Sequence, residues 1–178
     1  MIDEKARKIK LLILDVDGVM TDGRIVVNDL GQEIKYFNVK DGYGIRLLLK
    51  AGIDVAIITG RESETVKRRA SDLEIPIVYQ GVKDKASVCK KIMEEKGLEK
   101  EQVCCMGDDL PDIPMFNCAG LPIAVADATY ETRNSALYVT KTPGGYGAVR
   151  EVCEIILKSK GAWPKIDGIK EKNKLGFT

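Results

Sequence analysis

Short apolar runs alternate with amphipathic stretches along most of the chain. Runs of strand length cover residues 11–16, 55–59, 77–79 and 103–106, with weaker ones at 121–125 and 137–139. The intervening stretches have helical spacing near 43–51, 62–74, 84–97, 109–118 and 146–159. Continuous apolar strands separated by helices are typical of a parallel sheet covered on both faces. The pattern therefore predicts an α/β fold.

One segment interrupts this alternation. Residues 24–27 and 33–37 are β-like, and the turn-forming sequence between them contains Asn28, Asp29 and Gly31. We expect a small β-hairpin here, inserted over about residues 23–38. A lone hairpin is marginally stable in water, so this one is expected to pack against another surface, such as a second subunit.

Length and charge limit the classes of partner. The 178 residues suit one domain, expected over residues 1–160, followed by a mobile tail over 161–178. No apolar run has the length of a membrane span, and the charged start MIDEKARKIK does not resemble a secretory signal, which predicts a cytoplasmic protein. A net charge of +1 predicts neither a nucleic-acid nor a membrane partner.

The chain contains no histidine, which excludes catalysis by Ser-His-Asp or Cys-His and any histidine-ligated metal. Its five cysteines lack metal-ligand spacing and are odd in number, which favours reduced, buried thiols over disulfides or a zinc site. Acid–base chemistry is therefore left chiefly to carboxylates.

Aspartates follow two of the predicted strands. Asp15 and Asp17 come directly after the first strand and, two residues apart in extended chain, point the same way. After the strand at 103–106 come Asp108, Asp109 and Asp112. Clustered carboxylates repel one another unless a cation is present, and their oxygens suit Mg²⁺. Turn and helix-cap roles are the competing interpretation of each group.

Two further features follow strands. Thr59, Gly60 and Arg61 lie at the end of the strand at 55–59, where a hydroxyl and backbone N–H groups favour an anion site. Lys85 opens the next predicted helix, a position where a lone lysine is usually exposed to solvent.

The order strand–DxD, strand–TGR, lysine, strand–GDDxxD resembles the haloacid dehalogenase-like phosphatase superfamily. The resemblance implies a Rossmann-like sheet. It also implies that Asp15 attacks phosphorus, that Asp17 protonates the leaving alcohol and then activates water, and that Thr59, Gly60 and Lys85 hold the phosphate. Asp15, the backbone carbonyl of Asp17, and Asp108 would bind Mg²⁺. Asp109 and Asp112 would support them.

Longer stretches resemble one family of this superfamily, the 3-deoxy-D-manno-octulosonate 8-phosphate phosphatases of the hairpin-capped branch. They include LLILDVDGVMTDG, EIKYFNVKDGYGIRLL, VAIITGRES and VCCMGDDLPD. The resemblance implies hydrolysis of that sugar-acid phosphate in lipopolysaccharide precursor synthesis, and a homotetramer in which the hairpin of one subunit closes its neighbour's site. The implied substrate-binding residues, besides Asp17 and Lys85, are Asn38, Val39, Lys40, Asp41, Gly42, Arg46, Arg61 and Arg69.

Three alternatives remain at this level. A phosphatase for nine-carbon ulosonate 9-phosphates, of the sialic acid type, tends to carry Glu at the position of Arg61. A phospho-accepting receiver-type signalling module also has an acidic cluster and a lysine, but its acidic pair precedes the phosphorylated strand and it lacks the hairpin. A catalytically inactive homologue is disfavoured by the complete acidic set.

Overall fold

The computed structural model describes residues 2–164 and contains one six-stranded parallel sheet with the order β5-β4-β1-β6-β7-β8. Its strands are β1 (Leu11–Leu14), β4 (Asp54–Ile58), β5 (Ile77–Tyr79), β6 (Val103–Gly107), β7 (Leu121–Ala124) and β8 (Tyr138–Val139). β1 and β6 are fully buried because they lie in the middle of the sheet between helical layers. The predicted parallel α/β fold is thus confirmed.

Within residues 2–164, seven α-helices surround the sheet. They are α1 (Ile2–Lys8), α2 (Val39–Lys50), α3 (Glu64–Asp72), α4 (Lys85–Lys96), α5 (Ile113–Phe116), α6 (Tyr130–Ser135) and α7 (Ala148–Ser159). α1 and α2 both pack on α7, whereas α4 packs on α5. Among the described residues, none of these helices is long and apolar enough to cross a bilayer.

The predicted helix over 109–118 is broken in the structure. A 3₁₀ turn at Leu110–Asp112 precedes α5, because Pro111 and Pro114 lack the N–H groups that a continuous helix would use. α2 begins four residues earlier than expected, since the Asn38 side chain caps it by accepting the backbone N–H of Lys40 at 2.8 Å.

The hairpin forms a separate two-stranded antiparallel sheet of β2 (Val26–Val27) and β3 (Glu33–Ile34). Its strands are shorter than predicted, and Asn28 holds the turn by accepting the backbone N–H groups of Leu30 and Gln32. Apolar side chains of the hairpin are left exposed. They are Ile25, Val27, Leu30, Ile34 and Tyr36.

The chain after α7 does not leave the domain at once. Trp163 is half-buried, with the guanidinium of Arg150 4.8 Å from its ring centroid and the ammonium of Lys158 at 5.2 Å. Trp163 therefore belongs to the packed body rather than to the tail expected from residue 161. Residues 165–178 of that tail lie outside the described part of the chain.

Candidate active site

Three aspartates meet at the carboxyl edge of the sheet. Asp15 follows β1 and Asp108 follows β6, and these strands are hydrogen-bonded neighbours. Carboxylate oxygens of Asp15, Asp108 and Asp112 all lie within 4.8 Å of one another. The fold therefore brings together carboxylates separated by more than half of the sequence, as the strand order alone suggested.

Lys85, the first residue of α4, lies inside this acidic cluster. Its Nζ is 2.9 Å from Asp15 Oδ1 and 2.6 Å from Asp112 Oδ1, and all three side chains are at least nine-tenths buried. Burial opposes the ammonium charge, but Asp15 and Asp112 raise the pKa of Lys85 above its ordinary value. The lysine is thus a buried cation, unlike the exposed one that its isolated position would suggest.

One lysine does not balance three carboxylates. Burial, followed by repulsion from Asp112, raises the pKa of Asp15 to about 6. Burial, followed by repulsion from Asp15 and Asp112, raises that of Asp108 to about 8. The site therefore has an excess of negative charge and only oxygen donors, which fits a hard divalent cation such as Mg²⁺.

The two remaining acidic residues of GDDLPD differ in their surroundings. Asp112 is buried, and its second oxygen accepts the backbone N–H groups of Asp108 at 2.9 Å and Asp109 at 3.3 Å. With its first oxygen on Lys85, Asp112 is well placed to orient its neighbours. Asp109 is exposed and accepts the backbone N–H of Leu110 at 2.8 Å, which makes it the cap of the following turn.

The loop after β1 packs directly on Asp108. Gly18 has φ +92°, and a Cβ added there would lie 2.1 Å from Asp108 Oδ2. Only glycine accommodates both the backbone conformation and the contact. The close approach fixes the segment that carries Asp15 and Asp17 beside Asp108.

Asp17 faces the hairpin of its own chain. Its carboxylate pairs with Lys35, and the Nε of Arg61 lies 3.7 Å away. Arg61 also donates to Glu33 Oε1 at 2.7 Å. Sequence reasoning included Arg61 but missed Glu33 and Lys35. Glu33 and Lys35 are two residues apart in the predicted second strand of the hairpin, so their side chains were expected on the same face. That spacing is the sequence feature that could have identified them as a pair.

Thr59 and Gly60 follow β4, the other neighbour of β1. Thr59 is buried, its N–H donates to the carbonyl of Tyr79 at 3.0 Å, and its carbonyl accepts from Val82 at 3.1 Å. Gly60 leaves open space: an added Cβ would meet only the Val82 carbonyl, at 3.7 Å. These residues therefore flank Asp15 at the same sheet edge.

The start of α2 contains several of the other predicted substrate residues. Val39 and Lys40 are exposed, whereas Asp41 is buried and burial raises its pKa to about 6. Gly42 lies against the guanidinium of Arg69, where an added Cβ would be 2.4 Å from Arg69 Nη2.

The two predicted arginines on helices have different neighbours. The Arg69 guanidinium lies over the Phe37 ring, 5.6 Å from its centroid, at the end of the hairpin segment. Arg46 instead pairs with Glu74 at 3.1 Å and donates to the Asp72 carbonyl at 3.4 Å. The described contacts of Arg46 thus lie at the C-terminal end of α3 rather than at the acidic cluster.

The fold and the acidic edge of the sheet define a haloacid dehalogenase-like hydrolase, and the family model with that description matches residues 75–151. The chain is 49% identical over 154 residues to the 3-deoxy-D-manno-octulosonate 8-phosphate phosphatase KdsC of Yersinia pestis, covering 86% of this chain and 82% of that protein. The Escherichia coli K12 protein of the same name is 47% identical over 164 residues, covering 92% and 87%. The chain belongs to this phosphatase family.

A solved structure extends the likeness to three dimensions. The 3-deoxy-D-manno-octulosonate 8-phosphate phosphatase of Moraxella catarrhalis, in complex with magnesium ion, phosphate ion and a KDO molecule, superimposes with a TM-score of 0.88 at 44% identity. The match covers 90% of this chain and 92% of that one. The Rossmann-like sheet predicted from the four motifs is therefore that of the family.

Proposed function

We propose that this phosphatase hydrolyses 3-deoxy-D-manno-octulosonate 8-phosphate to the free sugar acid and inorganic phosphate, with Mg²⁺ as cofactor, as a step in lipopolysaccharide precursor synthesis. The observation that carries the proposal is the cluster of Asp15, Asp108 and Asp112 around Lys85. The family relationship supplies the substrate.

In the proposed reaction, Asp15 is the nucleophile. One of its oxygens bonds to phosphorus as the bond from phosphorus to the sugar oxygen breaks, and Asp17 gives its proton to the leaving alkoxide. Asp17 then takes a proton from water, whose oxygen attacks the aspartyl phosphate and releases phosphate and free Asp15. Asp17 lies two residues from Asp15, and its side chain is 24% exposed beside Lys35.

Asp15, Asp108 and the backbone carbonyl of Asp17 would hold Mg²⁺, and Asp109 and Asp112 would support that set. The bound cation would neutralise charge between the phosphate and the carboxylates. Thr59, Gly60 and Lys85 would hold the phosphate oxygens. Because Lys85 already touches Asp15, a phosphate bound there would lie beside the nucleophile.

The substrate also carries a carboxylate, which needs cationic partners. Arg61 is the best placed, since it adjoins Thr59 and Gly60 and reaches Asp17. We include Val39, Lys40, Gly42, Arg46 and Arg69 in the proposed substrate-binding set. Among these, Arg69 lies against Phe37, at the end of the hairpin segment, and close to Gly42. The side chains of Asn38 and Asp41, also expected in that set, instead contact the backbone of Gly145 and Arg150.

The substrate is tested by steady-state phosphate release. We expect turnover of the eight-carbon 8-phosphate in Mg²⁺, a much lower kcat/KM for a nine-carbon ulosonate 9-phosphate, and no turnover in EDTA. A higher kcat/KM for the nine-carbon ester would contradict the substrate assignment. If each chain instead kept one stably bound phosphoryl group and did not turn over, the protein would be a receiver-type module, which the family relationship does not favour.

We also propose a homotetramer in which the hairpin closes a neighbour's site. The exposed apolar side chains of the hairpin, such as Leu30 at 82% exposure, support an interface there. Within one chain, Lys35 already pairs with Asp17, so closure from the same subunit is the competing arrangement.

Co-expression of two inactive variants separates the arrangements. In a mixed assembly of Asp15→Asn and Lys35→Met subunits, closure by a neighbour creates sites with both an intact Asp15 and an intact Lys35, so activity returns. Closure within one subunit leaves every site defective. Light scattering on the wild type gives the number of subunits.

We propose that the enzyme acts in the cytoplasm. All five cysteines are free, buried thiols, which fits a reducing compartment.

A further inference from the structure

A glycine-rich loop over residues 143–147, called here the glycine loop, lies against the segment after Asp17. The Gly145 N–H donates to the Val19 carbonyl at 3.0 Å. A Cβ added to Gly144 would lie 1.7 Å from the Gly18 carbonyl oxygen, and one added to Gly145 would lie 2.5 Å from backbone atoms of Thr21 and Asp22. Two backbones are thus in direct contact, and the glycine loop supports the same Gly18 that abuts Asp108.

The start of α2 holds this loop from its other side. Asn38 Nδ2 donates to the Gly145 carbonyl at 3.3 Å, and Asp41 Oδ1 accepts the Arg150 N–H at 2.7 Å. Asp41 also accepts from the backbone of Gly147. Gly147 is the N-cap residue of α7 and has no side chain, so Asp41 provides the side-chain cap that the N-cap position itself lacks.

Burial of the Asp41 carboxylate is unfavourable in free energy. The residue is only 2% exposed, and its Oδ2 has no hydrogen-bond partner among the described residues. Its described hydrogen bonds lead to α7 and the glycine loop. This geometry gives Asp41 a role that direct contact with a substrate does not explain.

We propose that Asp41 is a positioning residue, which together with Asn38 holds the glycine loop against residues 18–22 and so keeps Gly18 beside Asp108. The inference rests on the proposed phosphatase reaction and adds to it. Asp41 and Asn38 were expected to bind substrate, whereas here their side chains act through the backbone that supports the acidic cluster.

Two substrates distinguish positioning from substrate binding. Kinetics are measured with the eight-carbon sugar-acid phosphate and with p-nitrophenyl phosphate, which has no sugar acid. We expect Asp41→Ala to lower kcat about tenfold or more on both substrates, with little change in KM, because misplaced groups slow the chemical step. Asp41→Asn, which can accept the same hydrogen bonds, should recover most of the activity. Asp72→Asn, at an exposed position on α3, is the matched control.

A raised KM for the sugar acid alone, with unchanged turnover of p-nitrophenyl phosphate, would overturn the inference and make Asp41 a substrate ligand. If the wild type hydrolyses only p-nitrophenyl phosphate, the proposed substrate is wrong, while the comparison of kcat values still tests the positioning role.

Amide hydrogen exchange gives a readout that does not depend on activity. We expect faster exchange at the Gly145 N–H in both Asn38→Ala and Asp41→Ala, with exchange in the central strand β1 unchanged. Using two variants keeps the test valid if one of them does not fold. Wild-type protection of Gly145 in both variants would overturn the inference.

Discussion

Replacing Lys85 by Met tests the electrostatics of the acidic cluster most severely. Met keeps the unbranched apolar stem of the side chain and removes its charge. The Nζ that is lost lies 2.9 Å from Asp15 and 2.6 Å from Asp112, with side-chain exposures of 5% for the lysine and 8% and 2% for its partners. The variant would leave the buried carboxylates of Asp15 and Asp112 facing each other and the partly buried Asp108.

Removing one member of a buried ion pair typically costs about 3–5 kcal/mol. For a protein of this size, about 1 kcal/mol shifts the melting temperature by roughly 2–4 °C. Lys85→Met should therefore melt at least about 6 °C below the wild type in EDTA at about pH 9, where the carboxylates are largely ionised. Mg²⁺ should restore part of the loss, because it supplies the missing positive charge.

The assay is thermal unfolding in EDTA and in Mg²⁺, with phosphate release measured in parallel. Lys83→Met, an exposed lysine two residues earlier, is the control and should melt like the wild type. If Lys85→Met also melts like the wild type in EDTA, the cluster does not carry the unbalanced charge described here.

Two other predictions follow from the same cluster. Because the pKa values of Asp15 and Asp108 are raised to about 6 and about 8, the cation-free protein binds more protons folded than unfolded, so its stability should fall as the pH rises from about 4 to about 8. Melting curves in EDTA test this, and an equally steep fall in Asp108→Asn would contradict it. Gly18→Ala should abolish Mg²⁺ binding and lower kcat/KM at least about tenfold, because the added Cβ would overlap the Asp108 carboxylate. Gly52→Ala, also at positive φ but facing open space, should keep both, and equal effects of the two substitutions would refute the steric argument.

Much of the site could be predicted because it depends on local pattern and strand order. The runs before Asp15 and Asp108 are apolar enough to be buried strands, and the carboxyl ends of parallel strands meet at one edge. Lys85 followed from the same order once its helix was placed.

Other features depended on contacts that no local pattern specifies. The helix α1 has only Ala6 buried and α6 only Thr132, so neither shows an apolar stripe. Glu33 and Lys35 join the site because the hairpin folds back over Asp17. The role of Asp41 at the start of α7 requires two segments more than 100 residues apart to meet.

We propose Asp15 as a nucleophile within a cation-binding cluster, and the Asp15→Asn variant is the decisive test of that role. Phosphate release by this variant in saturating Mg²⁺ should fall at least about a thousandfold, with a melting temperature close to that of the wild type. Asp72→Asn, at an exposed position on α3, should keep the wild-type activity. Wild-type turnover by folded Asp15→Asn would contradict the account.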